Sequence, residues 1–140
     1  MILLDTNIIS EVMKPRPDVC VVDWMNATAS GSLFVSSVTI AEVHFGLELL
    51  PDGGRRIDLE RRFEQLMSRG FDGRIVSFDV PAARVYGTLM AHRRKAGTPL
   101  ASLDGQIASI ARIHGFAVAT RNTGHFADCG VELVNPFAAL

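Results

Sequence analysis

Features that would mark a secreted or membrane protein are scarce in this sequence of 140 residues. It holds only two cysteines, Cys20 and Cys129, which lie far apart and in no metal-ligand spacing, so we expect reduced and mostly buried thiols. No stretch approaches the roughly 20 apolar residues that a membrane span needs. The N-terminus also lacks the basic region and apolar core of a signal peptide. These absences predict a soluble, cytoplasmic protein without a membrane partner.

A strong excess of either charge is absent as well. The sequence has 14 basic and 15 acidic residues and a formal net charge of −1. This balance offers no overall electrostatic attraction for nucleic acid, so any such binding must come from local basic patches. Apolar residues make up 48% and charged residues 21%, which is typical of a globular protein. The length predicts one domain over residues 1–140.

What the sequence does contain is a regular alternation of short apolar runs and helical patterns. The apolar runs predict five strands, at residues 2–4, 33–36, 74–78, 116–119 and 131–134. Amphipathic periodicity, capping residues and Gly or Pro breaks predict six helices, at residues 6–14, 18–29, 37–50, 55–69, 80–95 and 102–115. Strands that alternate with helices through short connections indicate an α/β fold, a three-layer α/β/α sandwich around a mostly parallel sheet.

Four polar residues recur at the predicted junctions between strands and helices. Asp5 follows the first strand, and Glu42 lies in the first turns of the helix after the second. Asp104 lies at the start of a helix, and Asn122 follows the fourth strand. In a parallel sheet, strand ends and helix starts converge on one edge, where open α/β sheets bind their ligands. We therefore expect these four residues to share a pocket.

Several carboxylates in one pocket repel one another and cannot all stay ionised without a partner. Arg121 is the only obvious basic partner in these segments. A hard divalent cation, Mg²⁺ or Mn²⁺, would compensate the charge, since both prefer carboxylate and amide oxygens together with water. Phosphoryl transfer uses such a site, because the metal activates water and stabilises charge on the phosphate oxygens.

Each of these residues also has a purely structural explanation. Asp5 or its polar neighbours can cap the next helix, and Asp104 can be a first-turn acid favoured by the helix dipole. Glu42 can be an ordinary exposed helix residue, and Asn122 a turn former. Four such residues at one edge of a sheet are explained less often by coincidence than by a functional site. Their combination therefore favours a functional site.

Four segments, in order along the chain, resemble the PIN-domain ribonucleases. They are LLDTN at residues 3–7, VTIAE at 38–42, LDGQIA at 103–108 and TRNTGHF at 120–126, and an NPF ending at 135–137 accompanies them. The subgroup with the greatest resemblance is VapC, the toxin of bacterial type II toxin–antitoxin pairs, in particular its FitB-like branch. The resemblance covers essentially the whole chain and implies a PIN-like three-layer sandwich.

By this resemblance, the family's metal-binding acids correspond to Asp5, Glu42 and Asp104. Many members have a fourth acid where this chain has Asn122, whose amide oxygen can still orient a metal-bound water but carries no charge. The resemblance further implies a set of polar residues that position metal, water or carboxylates: Thr6, Asn7 and Thr120. Mg²⁺ held by Asp5 and Asp104, with Mn²⁺ as a substitute, would bind the scissile phosphate, and Glu42 or Asp104 would position or deprotonate the attacking water.

The same resemblance implies endonucleolytic cleavage of RNA, with tRNA or rRNA as the usual target. It also implies a homodimer that forms a complex with a small antitoxin and contacts DNA only through that antitoxin. The antitoxin would lay a peptide along a groove and point a basic side chain at the acidic pocket, with helices 18–29 and 40–50 as candidate walls. Basic residues at 93–95 and at 55, 56, 61 and 62 are candidate RNA contacts or simply solvated charges. His125 lies near the expected site.

Three other functions are weighed against this one. A phosphatase of the haloacid dehalogenase type also opens with a strand and an Asp, but it needs a second Asp two residues later, where this chain has Asn7. A receiver domain needs a lysine on a late loop, and the only lysines are Lys14 and Lys95. A catalytically weak or inactive PIN-fold binding module stays open, because Asn122 replaces an acid.

Overall fold

A parallel five-stranded sheet lies at the centre of the computed structural model, which describes residues 1–138. Its strands are β1 (Ile2–Leu4), β2 (Leu33–Ser36), β3 (Ile75–Val76), β4 (Ala117–Ala119) and β5 (Leu133–Val134). They are arranged in the order β3-β2-β1-β4-β5, and every neighbouring pair is parallel. The central strand is therefore β1, whose last residue pairs with Val35 of β2 and Ala119 of β4.

Seven α-helices surround the sheet in the described part of the chain. They are α1 (Thr6–Val12), α2 (Val19–Ala27), α3 (Ser37–Glu48), α4 (Gly54–Gln65), α5 (Val80–Lys95), α6 (Ser102–His114) and α7 (Thr123–Phe126). A 3₁₀ turn at Ser30–Ser32 precedes β2, and a π-helical segment at Leu66–Gly70 continues α4. Asp18 caps α2 and Asp79 caps α5, and each side chain accepts a hydrogen bond from an N–H group of the first turn.

Both faces of the sheet are buried under helices. Leu3 and Leu4 point to opposite faces, because side chains alternate along a strand, yet both are fully buried. Leu4 packs in one core with Ile8 of α1, whereas Leu3 packs in a second core with Ile107 of α6. The predicted α/β/α sandwich is therefore confirmed, and the sheet is parallel throughout residues 1–138.

Close packing between α5 and α6 sets the position of the start of α6. A Cβ atom on Gly105 would lie 2.5 Å from Met90 Sδ and 3.1 Å from Tyr86 Cε2, so a larger residue would require the Met90 side chain to shift. Gly105 directly follows Asp104, so this close packing against α5 lies next to Asp104 in the first turn of α6.

Several predicted boundaries differ from the observed ones. The strands predicted at 74–78 and 131–134 shorten to β3 and β5, because both are edge strands with a single neighbour to pair with. The four residues of α7 were not predicted as a helix, since such a short segment has no helical periodicity. The amphipathic pattern of residues 55–69 predicts that Ile57 faces inward, but this prediction is wrong, because the Ile57 side chain is 56% exposed. Ile57 lies two residues before Leu59, which turns it away from the buried face of α4.

The structure also describes the two cysteines and the length and apolar character of the helices. Cys20 and Cys129 are both free, and Cys129 is buried whereas Cys20 is half-buried. Within residues 1–138, no helix combines the length and the apolar character required to cross a bilayer.

Candidate active site

Asp5 lies at the carboxyl end of the central strand, and hydrogen bonds fix both of its carboxylate oxygens. The backbone N–H of Asp5 donates to Ala119 O at 2.9 Å, which continues the pairing of β1 with β4. Oδ1 accepts from Thr6 N at 2.8 Å. Oδ2 accepts from Thr120 Oγ1 at 2.8 Å and from Asn7 Nδ2 at 3.2 Å. Asp5 therefore caps α1, which is the structural role that the sequence allowed for it. It also presents a fixed, buried carboxylate at the edge of the sheet.

Thr6 connects the start of α1 to Glu42 on α3. Thr6 Oγ1 donates to Glu42 Oε1 at 2.8 Å and lies 3.1 Å from Thr39 Oγ1. Because a hydroxyl has one proton and Thr6 gives it to the carboxylate, Thr39 is the donor of the second bond. Glu42 is half-buried, and within residues 1–138 its Oε2 has no hydrogen-bond partner.

Thr120 is fully buried at the end of β4 and joins the loop after that strand to Asp5. Besides its donation to Asp5, Thr120 Oγ1 accepts from Asn122 N at 3.0 Å and from Asn7 Nδ2 at 3.3 Å. Asn7 Oδ1 in turn accepts from Arg121 N at 3.3 Å. The polar residues predicted to position the acids thus form one network around Asp5.

Asp104 approaches from the first turn of α6, outside this network. Its side chain is 23% exposed, and its Oδ2 lies 3.5 Å from Nδ1 of His125 on α7. His125 therefore contacts one of the predicted acids directly. The sequence predicts only that His125 lies near the site.

A single open pocket of about 370 Å³ joins these residues at the edge of the sheet. Its lining includes all four residues of the predicted catalytic set: Asp5, Glu42, Asp104 and Asn122. The convergence expected from a parallel sheet is therefore what the structure shows.

The acids of the pocket influence one another electrostatically. Burial is the main cause that raises the pKa of Asp5 above its ordinary value of 3.8, and hydrogen bonds from Thr120 and Thr6 oppose it. The negative charges of Asp104 and Glu42 raise the pKa of Asp5 further. A positive charge that enters the pocket would therefore favour the ionised form of Asp5 and oppose this rise in its pKa.

Three residues that line the pocket were not predicted, namely Ser10, Glu11 and Lys14. Glu11 is buried and lies 2.5 Å from Lys14 Nζ, and its Oε1 accepts from Asp18 N at 3.1 Å. The hydrogen bond from Lys14 is the main cause that lowers the pKa of Glu11. These residues follow Asn7 by three, four and seven positions, so the helical periodicity of α1 was the signal that could have identified them.

Comparison with known proteins assigns a family to this arrangement. The family model described as PIN domain matches residues 2–131. The chain belongs to the PIN-domain family. Among PIN-domain relatives, it is 42% identical over 137 residues to the VapC ribonuclease Y4jK of Sinorhizobium fredii, with 98% of each chain covered. It is 39% identical over 137 residues to the toxin FitB of Neisseria gonorrhoeae, with 98% of this chain and 99% of FitB covered. The resemblance to VapC and FitB is thereby confirmed.

A solved structure of FitAB bound to an IR36 DNA fragment contains a chain with the same fold. This PIN domain superimposes on it with a TM-score of 0.92 at 38% sequence identity. The match covers 100% of this chain and 98% of the other. The PIN fold is therefore shown by structure as well as by sequence.

The residues in the pocket of this PIN domain fit a hard divalent cation, although they do not form a closed cage. Within residues 1–138, no group of three or more His, Cys, Asp or Glu side chains stands ready to hold a metal ion. Mg²⁺ commonly uses only one or two carboxylates and keeps several waters, so an open set of acids suffices. Carboxylates with the Asn122 amide are the oxygen ligands that Mg²⁺ and Mn²⁺ prefer. A bound cation would favour the ionised form of Asp5 and so lower its raised pKa.

Arg93, given above as a candidate RNA contact or a solvated charge, is neither, because it is buried inside the PIN domain. Its Nε donates to Thr98 O at 2.7 Å, and its Nη1 donates to Ala127 O and to Cys129 Sγ. Arg93 therefore joins α5 to the loop after α7, and within the basic cluster at 93–95 only Arg94 and Lys95 are exposed.

The arginines of α4 are partly occupied by intramolecular ion pairs. Arg56 pairs with three acids, and Arg62 pairs with one; these acids are Glu48, Asp52, Glu60 and Asp58. Arg55 and Arg61 are exposed and form no ion pair with any other residue of the described chain. Of the predicted basic cluster on α4, two arginines are thus available to a ligand.

The two helices predicted as groove walls line separate grooves, each facing α4. A groove of about 300 Å³ lies between α1, α3 and α4, and Val43 and Leu47 form part of its wall. It shares Ser10, Lys14 and Glu42 with the acidic pocket, so the two are continuous. A second groove of about 480 Å³ is lined by Val22 and Met25 of α2 and by residues of α4 and the π segment.

Proposed function

We propose that this PIN-domain protein is the toxin of a type II toxin–antitoxin pair and a Mg²⁺-dependent endoribonuclease. One observation carries the proposal: Asp5, Glu42 and Asp104, from three distant parts of the chain, line one pocket. Its similarity to proteins named VapC ribonuclease and toxin FitB supports the ribonuclease and toxin assignments. Mn²⁺ is expected to replace Mg²⁺, since it takes the same oxygen ligands.

Each residue of the pocket has a distinct role in this proposal. Asp5 and Asp104 would hold the cation, Glu42 would add its negative charge to the cation site, and Thr120 and Asn7 keep the Asp5 carboxylate in place. When bound, Mg²⁺ stabilises negative charge on the phosphate oxygens and lowers the pKa of water.

Glu42 is the proposed general base of the reaction. Thr6 holds Oε1, which leaves Oε2 to accept a proton from the attacking water. The Asn122 amide oxygen orients this water. The water oxygen then bonds to phosphorus and one P–O bond of the phosphodiester breaks. The leaving oxygen takes up a proton from solvent, and Glu42 gives the proton that it received back to solvent.

The proposed partners are RNA, a small antitoxin and a second copy of this chain. We take tRNA or rRNA as the RNA, as the resemblance implies, and the groove that is continuous with the acidic pocket as the site of the antitoxin peptide. Contact with DNA is proposed to occur only through the antitoxin; the similarity to a chain of a FitAB complex bound to DNA supports a DNA-bound complex of toxin and antitoxin.

The proposal is tested by incubating purified protein with labelled tRNA and rRNA in Mg²⁺, Mn²⁺ or EDTA. We expect cleavage with either metal, none in EDTA, and a loss of at least about a hundredfold in Asp5→Asn and Asp104→Asn. Asp72→Asn changes an exposed acid outside the pocket and should cleave like the wild type. Cleavage that persists in EDTA, or in both pocket variants, would contradict the proposal.

A second candidate is a binding module with the PIN fold but little or no activity. Asn122 favours it, because the pocket has one negative charge fewer than a four-acid site and so attracts a cation less strongly. In this case RNA stays intact with every metal, while the protein still binds an antitoxin peptide. The incubation above separates the two functions.

A further inference from the structure

Arg121 is the one arginine among the residues that line the acidic pocket, and an aromatic ring holds it there. Its Cζ atom lies 3.8 Å from the centroid of the Phe137 ring. Its backbone N–H donates to Asn7 Oδ1, which places the residue directly beside the Asp5 network. Within residues 1–138, the guanidinium group of Arg121 forms no ion pair and donates no hydrogen bond.

This environment differs from that of the other arginines with known contacts. Arg56 and Arg62 pair with carboxylates, whereas Arg74 and Arg93 donate to backbone carbonyls. The five N–H donors of a guanidinium lie in its plane, and a ring stacked on its face leaves them accessible. Arg121 is therefore held in position without its donors being used.

The ring beneath Arg121 is itself fixed. Thr120 N donates to Val134 O at 2.9 Å, so β4 and β5 end at the same edge of the sheet. Asn135 Oδ1 then accepts from Phe137 N at 3.0 Å and closes the turn that brings the ring over Arg121. Phe137 also packs against the core on one face of the sheet. The Phe137 ring, which packs against the core, thus lies under a positive charge at the rim of a negatively charged pocket.

We propose that Arg121 binds a backbone phosphate of the RNA substrate and holds the strand against the acidic pocket. An acidic pocket in a chain of net charge −1 repels a polyanion, so a local cation is needed where the strand enters. Lys14, the other basic residue of the pocket, is already paired with Glu11. A planar guanidinium also matches the geometry of a phosphate group, with two parallel N–H···O bonds. This inference rests on the proposed nuclease function and adds a residue that binds its substrate.

The test measures the affinity of a fluorescent single-stranded RNA by anisotropy in EDTA at several salt concentrations. Arg121→Gln is expected to weaken binding by about tenfold or more. It should also reduce the slope of log affinity against log salt by about 0.7, the contribution of one phosphate contact in a single strand. Arg121→Lys should keep the slope, and Phe137→Leu should weaken binding because the charge loses its support. Arg69→Gln, an exposed arginine outside the pocket, is the matched control and should bind like the wild type.

The outcomes separate this inference from the function on which it rests. If wild-type protein binds and cleaves RNA while Arg121→Gln keeps both affinity and slope, the inference is wrong and the nuclease function stands. If wild-type protein neither binds nor cleaves RNA, both are wrong. The slope of log affinity against log salt should fall in Arg121→Gln but not in Arg121→Lys, while thermal unfolding stays unchanged in both variants. This result would support a phosphate contact over a structural role for the Arg121 side chain.

Discussion

Thr120 Oγ1 donates a 2.8 Å hydrogen bond to Asp5 Oδ2, although 115 residues separate the two in the sequence. The bond crosses from the end of β4 to the end of β1, the two strands that meet at the acidic pocket. Both residues are buried, so this contact orients the Asp5 carboxylate with little competition from water. The geometry of the proposed metal site therefore depends on the pairing of β1 with β4.

Replacement of Thr120 tests this dependence. Thr120→Val removes the hydroxyl but keeps the shape, and we expect RNA cleavage to fall by about 10- to 100-fold with a weaker response to Mg²⁺. Thr120→Ser keeps the donor and should retain most of the activity. Measurement of cleavage against Mg²⁺ concentration distinguishes them, and equal losses in Val and Ser variants would show that the hydroxyl has no role.

Asn122→Asp tests the effect of the missing fourth acid. One added charge about 6 Å from a divalent cation in a water-like medium contributes about 1.4 kcal/mol, so metal affinity should rise about tenfold. Calorimetric titration with Mn²⁺ measures this affinity, and Asn122→Ala, which adds no charge, is the control. If Asn122→Asp binds Mn²⁺ no more tightly than the wild type, Asn122 does not adjoin the metal.

Arg93 is expected to stabilise the fold rather than to bind RNA. Arg93→Met leaves the carbonyls of Thr98 and Ala127 without their donor, which should lower the free energy of unfolding by about 2–4 kcal/mol. Arg94→Met changes the exposed neighbour and should stay within about 0.5 kcal/mol of the wild type. Urea unfolding measures both. Equal stability of the two variants would remove the structural role assigned to Arg93.

Asp5 and Glu11 should have opposite effects on the pH dependence of stability. The pKa of Asp5 is raised above 3.8, so the folded state keeps a proton that the unfolded state has lost, and stability decreases as pH rises through this window. The pKa of Glu11 is lowered below 4.5, so its contribution is present above that value and is lost as pH falls through the lowered pKa.

These two opposite pH dependences of stability can be measured by urea unfolding in EDTA between about pH 3 and pH 7. The stability of wild type relative to Asp5→Asn should fall as pH rises, whereas its stability relative to Glu11→Gln should increase. If both differences change in the same direction, the environments of the two carboxyl groups are not those described.

The fold and the membership of the pocket could be predicted because they follow from local signals and from one topological rule. Apolar runs followed by polar residues located β1, β2 and β4, and the parallel arrangement brought Asp5, Glu42 and Asp104 to one edge. Asp104 shows a limit of this reasoning, since the sequence could not reveal its contact with His125 across α6 and α7.

Contacts between distant loops account for the features that could not be predicted from the sequence. Arg93 resembled its exposed neighbours in sequence, and its partners Thr98, Ala127 and Cys129 come from segments that no periodicity connects to α5. The stacking of Arg121 on Phe137 likewise depends on the turn after β5. Such interactions arise from the tertiary fold and leave no pattern in the sequence.

The central claim is that Asp5, Glu42 and Asp104 share one divalent cation, and anomalous scattering from crystals grown with Mn²⁺ tests it most directly. The account predicts one peak in the acidic pocket, at about 2.1 Å from an oxygen of Asp5 or Asp104, that disappears in Asp5→Asn. A pocket without a peak at saturating Mn²⁺, or a peak that persists unchanged in Asp5→Asn, would contradict it.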